Sequence, residues 1–137
     1  MKDLHWLGME ALGVLHQSVV DDHGGDSLIR DAHRLEAAVM RPLQQSSYGE
    51  ESLSRLAAAY AVGLVQGHPF MDGNKRTGFM AAAAFLELNG RVLVAPETEV
   101  VLQTLGLAAG EVTEAQYAVW LEKSSRPSAP KPKKRRK

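Results

Sequence analysis

The sequence predicts an all-α fold, a compact bundle of about six helices that forms a single domain over residues 1–123. Apolar residues recur at spacings of three and four in several separate segments, as on the buried face of a helix. Glycine and proline fall near the ends of these segments, where they stop helices. A chain of 137 residues, 45% of them hydrophobic, also has enough apolar material for one core.

The first part of the predicted bundle consists of two helices. Apolar spacing over 12–20 predicts the first, which a run of polar and glycine residues ends. A short second helix is predicted over 35–39. It is expected to stop near Arg41 and Pro42, because proline disfavours a helical conformation in the residue before it. Residues 44–49 are then predicted to form a loop.

The second part of the chain carries the stronger helix signals. Residues 53–65 form a continuous apolar stripe at helical spacing. An alanine-rich segment over 74–88 favours a second long helix, and Asn89-Gly90 is a good stop for it. Weaker signals predict a short extended segment at 91–94 and further helices over 99–107 and 113–122.

Composition excludes several classes of protein. The chain has no cysteine, so it has neither disulfides nor thiolate metal sites. Its first residues lack the apolar run of a signal peptide, and no stretch reaches the ~18 apolar residues that suggest a membrane span. We therefore expect a cytoplasmic protein.

The formal net charge of zero hides a division between an acidic body and a basic tail. Residues 126–137 contain seven of the sixteen basic residues and no acidic ones, which leaves nine basic against sixteen acidic residues in the first 125. We predict that 124–137 is a disordered tail, rich in Ser, Pro, Lys and Arg. Three interpretations remain open for it: a solvated segment without function, weak electrostatic contact with nucleic acid or the ribosome, and a nuclear import signal.

The segment His68–Thr77 carries the residues with chemical potential. It lies between two predicted helices and opens the second, where unpaired N–H groups and the helix dipole attract phosphate. Gly73 allows close approach of a ligand to the backbone. Lys75 and Arg76 add two positive charges at the start of this helix, and arginine can bind phosphate through two parallel hydrogen bonds.

Two further side chains complete a set suited to phosphoryl transfer. His68 titrates near neutral pH and is a candidate general base for an attacking hydroxyl. Asp72 is a carboxylate beside an anion site, which is favourable where a cation such as Mg²⁺ bridges the carboxylate and the phosphate. Phe70 is expected to point into the core and anchor the loop. The same segment also fits an ordinary turn that leads into a capped helix, and the residues alone leave that alternative open.

The segment resembles the signature of the Fic/Doc family, His-x-Phe-x-(Asp/Glu)-(Gly/Ala)-Asn-(Gly/Lys)-(Lys/Arg), position by position from His68 to Arg76. The upstream segments 28–31 and 35–38 and the pair Arg41-Pro42 resemble death-on-curing (Doc) proteins. The likeness covers roughly residues 10–122. It implies a Fic-type helical bundle as the catalytic domain.

The resemblance also implies roles for the residues of the motif. His68 would be the catalytic base, Asp72 the ligand of a Mg²⁺ ion that bridges the nucleotide phosphates, and Phe70 the structural anchor. Gly73 and Asn74 would line the anion hole. The expected nucleotide- and phosphate-binding set is Gly73, Asn74, Lys75, Arg76 and Thr77, with ATP and Mg²⁺ as cofactors.

Two departures from the AMP-transferring Fic pattern favour Doc-type chemistry. Lys75 stands where that pattern has glycine, and Phe79 stands where it has a second arginine. In Doc proteins the γ-phosphate of ATP is transferred to a hydroxyl of elongation factor Tu, so the resemblance implies a Ser/Thr kinase that arrests translation. The alternatives are AMP transfer to a protein hydroxyl and a Fic-like binding module without catalysis.

The resemblance implies in addition that the protein is the toxin of a toxin–antitoxin pair. Many Fic proteins carry an internal inhibitory helix with the pattern Ser/Thr-x-x-x-Glu-(Gly/Asn). Ser46 and Glu50 have the required spacing, but Glu51 follows where glycine or asparagine is expected. Inhibition is therefore expected from a separate, Phd-like antitoxin.

Several charged residues outside the motif are predicted to have structural roles. Arg30, Asp31 and Arg41 are expected to form ion pairs at or near the surface, with docking of the target or the antitoxin as the functional alternative. The other four histidines show no metal-ligand spacing and are predicted to be structural: His5, His16, His23 and His33.

Overall fold

The structure is a computed structural model and describes residues 3–128. Within this range six helices and two short strands form the fold, which confirms the predicted all-α class. The helices are α1 (Met9–His23), α2 (Ala32–Ser47), α3 (Leu53–Val65), α4 (Asn74–Leu88), α5 (Glu97–Ala109) and α6 (Glu114–Lys123). The strands are β1 (Arg91–Leu93) and β2 (Ser125–Pro127).

Helix α3 lies at the centre of the core, and α2, α4 and α6 pack around it. Its small residues allow close approach: a Cβ atom on Gly63 would lie only 2.8 Å from Ala38 of α2. Helix α4 approaches from another side, where a Cβ atom on Gly78 would lie 2.6 Å from Val65. Tight packing on α3 therefore fixes the position of α4, whose first turn carries the phosphate-binding candidates.

The strongest sequence signals are confirmed. Helices α3 and α4 have the predicted bounds, and the extended segment expected at 91–94 is present as β1. Asn89 ends α4, and its side chain amide donates to the carbonyl oxygen of Phe85 at 2.9 Å. The predicted helix 99–107 lies inside α5, which begins two residues earlier and ends two residues later.

The predictions for α2 and for the loop after it were wrong. The helix continues through Pro42 to Ser47, so residues 44–47 are helical rather than part of a loop. Pro42 is buried within the helix, and its ring adds to the packed face. Flanking contacts with Glu114 of α6 hold this part of α2 in place: Arg41 forms an ion pair with it, and Gln45 Nε2 donates to it at 3.0 Å. Tertiary packing thus offsets the loss of the backbone hydrogen bond that proline, which has no N–H group, cannot donate.

The prediction of disorder from 124 onward was wrong where the structure describes the chain. Ser125–Pro127 pairs antiparallel with Arg91–Leu93 as β2, and Arg91 donates two hydrogen bonds to Ser125. The pairing is allowed because Pro127 stands at the end of a strand that forms one edge of a two-stranded sheet. The rest of the predicted tail, 129–137, lies outside the described residues. Within 3–128, no helix is both long enough and apolar enough to cross a membrane.

Candidate active site

The loop between α3 and α4 is braced by residues from two other parts of the chain, α1 and the segment before α2. Phe70 is buried, as predicted, and the ring of His16 stacks on it with centroids 3.6 Å apart and an interplanar angle of 5°. His16 Nε2 also donates to the carbonyl oxygen of Asp72 at 2.8 Å. The prediction that His16 is structural is therefore confirmed, and its role is to hold both ends of the Phe70–Asp72 segment.

A second brace comes from the segment before α2. Ile29 forms an isolated antiparallel bridge with Phe70, and Met71 N donates to Leu28 O at 3.0 Å. The guanidinium of Arg30 donates to the carbonyl oxygen of His68 at 2.8 Å and to that of Gly67 at 3.3 Å. The ion pair predicted for Arg30 is thus replaced by hydrogen bonds to backbone carbonyls of the loop between α3 and α4.

The other two ion-pair predictions, for Asp31 and Arg41, are confirmed. Asp31 pairs with Arg34 at 3.4 Å and also caps α2, accepting from the backbone N–H groups of His33 and Arg34. These backbone hydrogen bonds, led by that from Arg34, hold the pKa of Asp31 below its usual value. Arg41 pairs with Glu114, as described above.

His68 is held in a strained conformation with its side chain exposed. Its φ angle is 51°, a left-handed value that non-glycine residues seldom adopt and that is often found at functional sites. The bond from Arg30 to its carbonyl oxygen stabilises this conformation. His68 faces an open groove of about 580 Å³ that it shares with Lys75 and with α5 residues such as Leu105. A hydroxyl-bearing substrate can therefore reach the imidazole.

The start of α4 has the features of an anion-binding site. Gly73 occupies the N-cap position at φ 82° and provides no side-chain cap. A Cβ atom there would lie 3.3 Å from Val19, so both the conformation and the space favour glycine. Within residues 3–128 the backbone N–H groups of Asn74, Lys75 and Arg76 have no hydrogen-bond partner. The first turn contains no acidic residue, so its positive potential is not neutralised there.

The structure places the predicted phosphate ligands in different environments. Lys75 is exposed, and Arg76 is half-buried. Asn74 is buried, and its side chain amide is already bonded to both backbone groups of Phe70, at 3.0 and 2.9 Å. Asn74 thus serves the loop through its side chain and can meet an anion only through its backbone N–H. Thr77 is fully buried, and its hydroxyl has no partner within the described residues, so its contact with a phosphate stays a prediction.

Arg76 pairs with Glu97 in the first turn of α5, a contact that the sequence analysis missed. The Nη2–Oε2 distance is 2.6 Å, and Nη1 lies 3.5 Å from Oε1. Hydrogen bonding and charge from Arg76 hold the pKa of Glu97 below its usual value. No sequence signal linked the two residues, because Glu97 belongs to a helix whose packing against α4 is visible only in the fold.

Asp72 is exposed and suited to hold a hard cation. Its Oδ2 accepts from the backbone N–H of Asp26 at 2.8 Å, while Oδ1 makes no hydrogen bond within residues 3–128. Mg²⁺ in nucleotide sites is commonly bound through one or two carboxylates and the substrate's own phosphates. A single exposed carboxylate beside an anion site fits this pattern, and the described residues contain no larger cluster of potential metal ligands.

Comparison with known proteins agrees with the motif. The sequence model described as the Fic/DOC family matches residues 6–86. Protein kinase doc of Escherichia phage P1 is 36% identical over 110 residues, which cover 80% of this chain and 86% of that protein. Toxin Doc of Mycolicibacterium smegmatis (strain ATCC 700084 / mc(2)155) is 45% identical over 75 residues, which cover 53% of this chain and 57% of that protein. The chain therefore belongs to the Fic/Doc family.

Proposed function

We propose that this protein transfers the γ-phosphate of ATP to a Ser or Thr hydroxyl of another protein and acts as the toxin of a toxin–antitoxin pair. The observation that carries the proposal is the start of α4, an uncapped helix end flanked by Lys75 and Arg76, with the exposed His68 and Asp72 in the same loop. The names of two relatives, Protein kinase doc and Toxin Doc, support the same chemistry and role.

In the proposed reaction His68 accepts the proton of the target hydroxyl, whose oxygen attacks the γ-phosphorus. A bond forms between that oxygen and phosphorus, the bond from the γ-phosphorus to the β–γ bridging oxygen breaks, and ADP leaves. The unpaired N–H groups of α4 and the charges of Lys75 and Arg76 stabilise the developing negative charge.

Asp72 is the proposed protein ligand of Mg²⁺. When bound, the ion would neutralise part of the negative charge on the nucleotide phosphates. The hydrogen bond from Asp26 N orients the carboxylate, and the bond from His16 to the Asp72 backbone fixes the position of the residue. Asp72 is thereby held at the edge of the anion site, and only Oδ2 of its carboxylate accepts a hydrogen bond within the described residues.

Phe79 favours phosphate transfer over AMP transfer. The AMP-transferring pattern has an arginine at this position, but Phe79 is packed against Trp120 with ring centroids 6.3 Å apart. An aromatic side chain offers no donor to a phosphate. Lys75, in place of glycine, adds a charge beside the groove that contains His68. Lys75 thus places a positive charge beside His68, where a transferred phosphate must lie.

The proposed partners are a translation factor similar to elongation factor Tu as the target and a Phd-like antitoxin as the inhibitor. The groove beside His68 is open enough to admit a segment of a protein target. With such a target, the protein acts in the cytoplasm. The basic residues after 128 are the proposed source of weak contact with nucleic acid or the ribosome.

The test is to incubate the protein with Mg²⁺, candidate translation factors and ATP labelled at either the γ- or the α-phosphate. Transfer of the γ-label alone is expected, and it should be lost in His68→Ala but kept in His33→Ala, the same change at another exposed histidine. Transfer of the α-label would show AMP transfer instead. A His68→Ala protein that kept full toxicity would identify a binding module without catalysis.

A further inference from the structure

We propose that Arg30 is a positioning residue that sets the orientation of the His68 imidazole through the backbone of the loop between α3 and α4. The inference rests on the proposed function, since it assumes that His68 accepts the proton of the target hydroxyl. Arg30 is exposed and, among the described residues, does not line the groove that His68 shares with Lys75. Its contribution to the reaction would therefore pass through His68 rather than through contact with a substrate.

Guanidinium groups hold the carbonyl side of the His68 segment from one direction. Arg30 donates from Nε to His68 O at 2.8 Å and from Nη2 to Gly67 O at 3.3 Å. Arg34, in the first turn of α2, donates from Nη1 to the same Gly67 oxygen at 3.3 Å. Two cationic side chains thus converge on consecutive carbonyl groups. Because hydrogen bonds from charged donors are the stronger kind, they fix the planes of both peptide groups.

The backbone of Arg30 is attached to the same loop as its side chain. The N–H groups of Arg30 and Asp31 both donate to Pro69 O, at 2.7 and 3.0 Å. Arg30 therefore spans the loop from Gly67 to Pro69, with its main chain at one end and its guanidinium at the other. A side chain fixed in this way has little freedom to move, so it holds the His68 carbonyl oxygen in one position.

The left-handed conformation of His68 makes these bonds necessary. At φ 51° a residue with a side chain is strained, and such conformations persist where the surrounding structure imposes them. The chain turns tightly just before it, since a Cβ atom on Gly67 would lie 2.2 Å from the carbonyl oxygen of Gly63. His68 N donates to Leu64 O at 3.2 Å, which holds the residue only from the side of α3. Release of its carbonyl oxygen would let φ return to a negative value, and the imidazole would then turn away from the groove.

The arrangement calls for arginine in particular. A planar guanidinium presents its N–H donors in a fixed fork and can hold two acceptors at once, whereas a lysine ammonium is a point charge on a flexible stem. Arg30 has no carboxylate partner within residues 3–128, so its recorded hydrogen bonds all go to carbonyl oxygens of the loop. We therefore expect that Arg30→Lys keeps the charge but loses the alignment of His68.

The experiment measures kcat and the KM for ATP in γ-phosphate transfer to elongation factor Tu. In Arg30→Ala, kcat should fall by roughly tenfold to a hundredfold, because a small misplacement of a reacting group costs about that much, while the KM for ATP stays near the wild-type value. Guanidinium ion, added well below the concentrations that unfold proteins, should restore part of the lost kcat, and ammonium ion should not. Arg55→Ala, at an arginine of α3 whose ion pair is with Glu50, should match the wild type in both constants.

A second measurement needs no target protein. The imidazole resonances of His68, assigned in an NMR spectrum by their loss in His68→Ala, should shift in Arg30→Ala and Arg30→Lys but not in Arg55→Ala. Because Arg30→Lys retains the charge, it also keeps the inference testable if the alanine variant does not fold.

The outcomes separate this inference from the proposed function. If the wild type transfers phosphate and Arg30→Ala keeps its kcat, or loses kcat and ATP affinity in equal measure, Arg30 does not position the catalytic base. If the wild type transfers no phosphate, the proposed function fails, and the His68 resonances alone decide whether Arg30 orients the imidazole. Unchanged resonances in both Arg30 variants would overturn the inference in either case.

Discussion

The ion pair between Arg76 and Glu97 would compete with an anion at the proposed phosphate site. The carboxylate of Glu97 lies 2.6 Å from the guanidinium of Arg76, where it takes hydrogen bonds that a phosphate would otherwise receive. Arg76 lowers the pKa of Glu97, so the carboxylate stays ionised and the pair persists at neutral pH. Glu97 is 64% exposed and the pair is accordingly weak, so that the proposed nucleotide would displace it.

Removing the charge of Glu97 should therefore strengthen nucleotide binding. In Glu97→Gln we expect the affinity for Mg-ATP to rise by about twofold to fivefold, the range expected when a solvent-exposed ion pair no longer competes. Titration calorimetry measures the change, and Glu87→Gln, which removes an equal charge from the exposed far end of α4, is the control. Weaker binding in Glu97→Gln would instead show that Glu97 orients Arg76 for the phosphates.

The motif itself could be predicted from the sequence because its chemistry is contiguous. His68, Asp72 and the two cations fall within nine residues, so a single loop and the first turn of the helix after it carry them all. The residues that brace them could not be predicted in the same way. His16 is 56 positions from Asp72, and Arg30 is 38 positions from His68. Such contacts depend on how the helices pack, and a single sequence gives no measure of that packing.

At the scale of the helices, local signals succeeded where burial and propensity agree. The alanine-rich α4 and the stripe of α3 favour helix in isolation and are also buried, so their bounds followed from the sequence. Helix α2 is the contrary case. Pro42 disfavours a helix locally, but the contacts of Arg41 and Gln45 with α6 favour one. The energy that extends α2 comes from α6, a partner about 70 residues later in the chain.

This account predicts that Glu114 stabilises the second half of α2. Glu114→Ala removes the carboxylate that accepts hydrogen bonds from both Arg41 and Gln45. The buried Nε of Arg41 already has no hydrogen-bond partner within the described residues, so the guanidinium also loses the ion pair that offsets its burial. We expect the free energy of unfolding to fall by about 1–2 kcal/mol. Urea titration measures the loss, and Glu36→Ala at an exposed position of α2 is the control. An equal effect in both variants would show that α2 does not depend on this contact.

At the scale of the whole molecule, α6 closes the core over α3 and α5. Tyr117 is fully buried there and bonded to Thr104, and Tyr60 is fully buried at the centre of α3. Burial raises the pKa of Tyr117 to about 12, despite the opposing effect of the bond from Thr104, and raises that of Tyr60 as well. The folded protein thus keeps both phenols protonated under conditions in which the unfolded chain releases their protons.

The stability of the whole fold should consequently fall in alkaline solution. The unfolded chain loses the Tyr117 proton near pH 10.0, whereas the folded protein keeps it until about pH 12. The contribution of this residue to the free energy of unfolding is therefore fully present below pH 10.0 and is lost as the pH rises to about 12, by up to about 1.4 kcal/mol per pH unit.

Denaturant titrations between pH 9 and 12 measure this loss. The free energy of unfolding should decline less steeply with pH for Tyr117→Phe than for the wild type. Tyr48→Phe, at a ring that is 91% exposed, should decline as the wild type does. Identical slopes for all three proteins would mean that burial of Tyr117 does not couple its ionisation to unfolding.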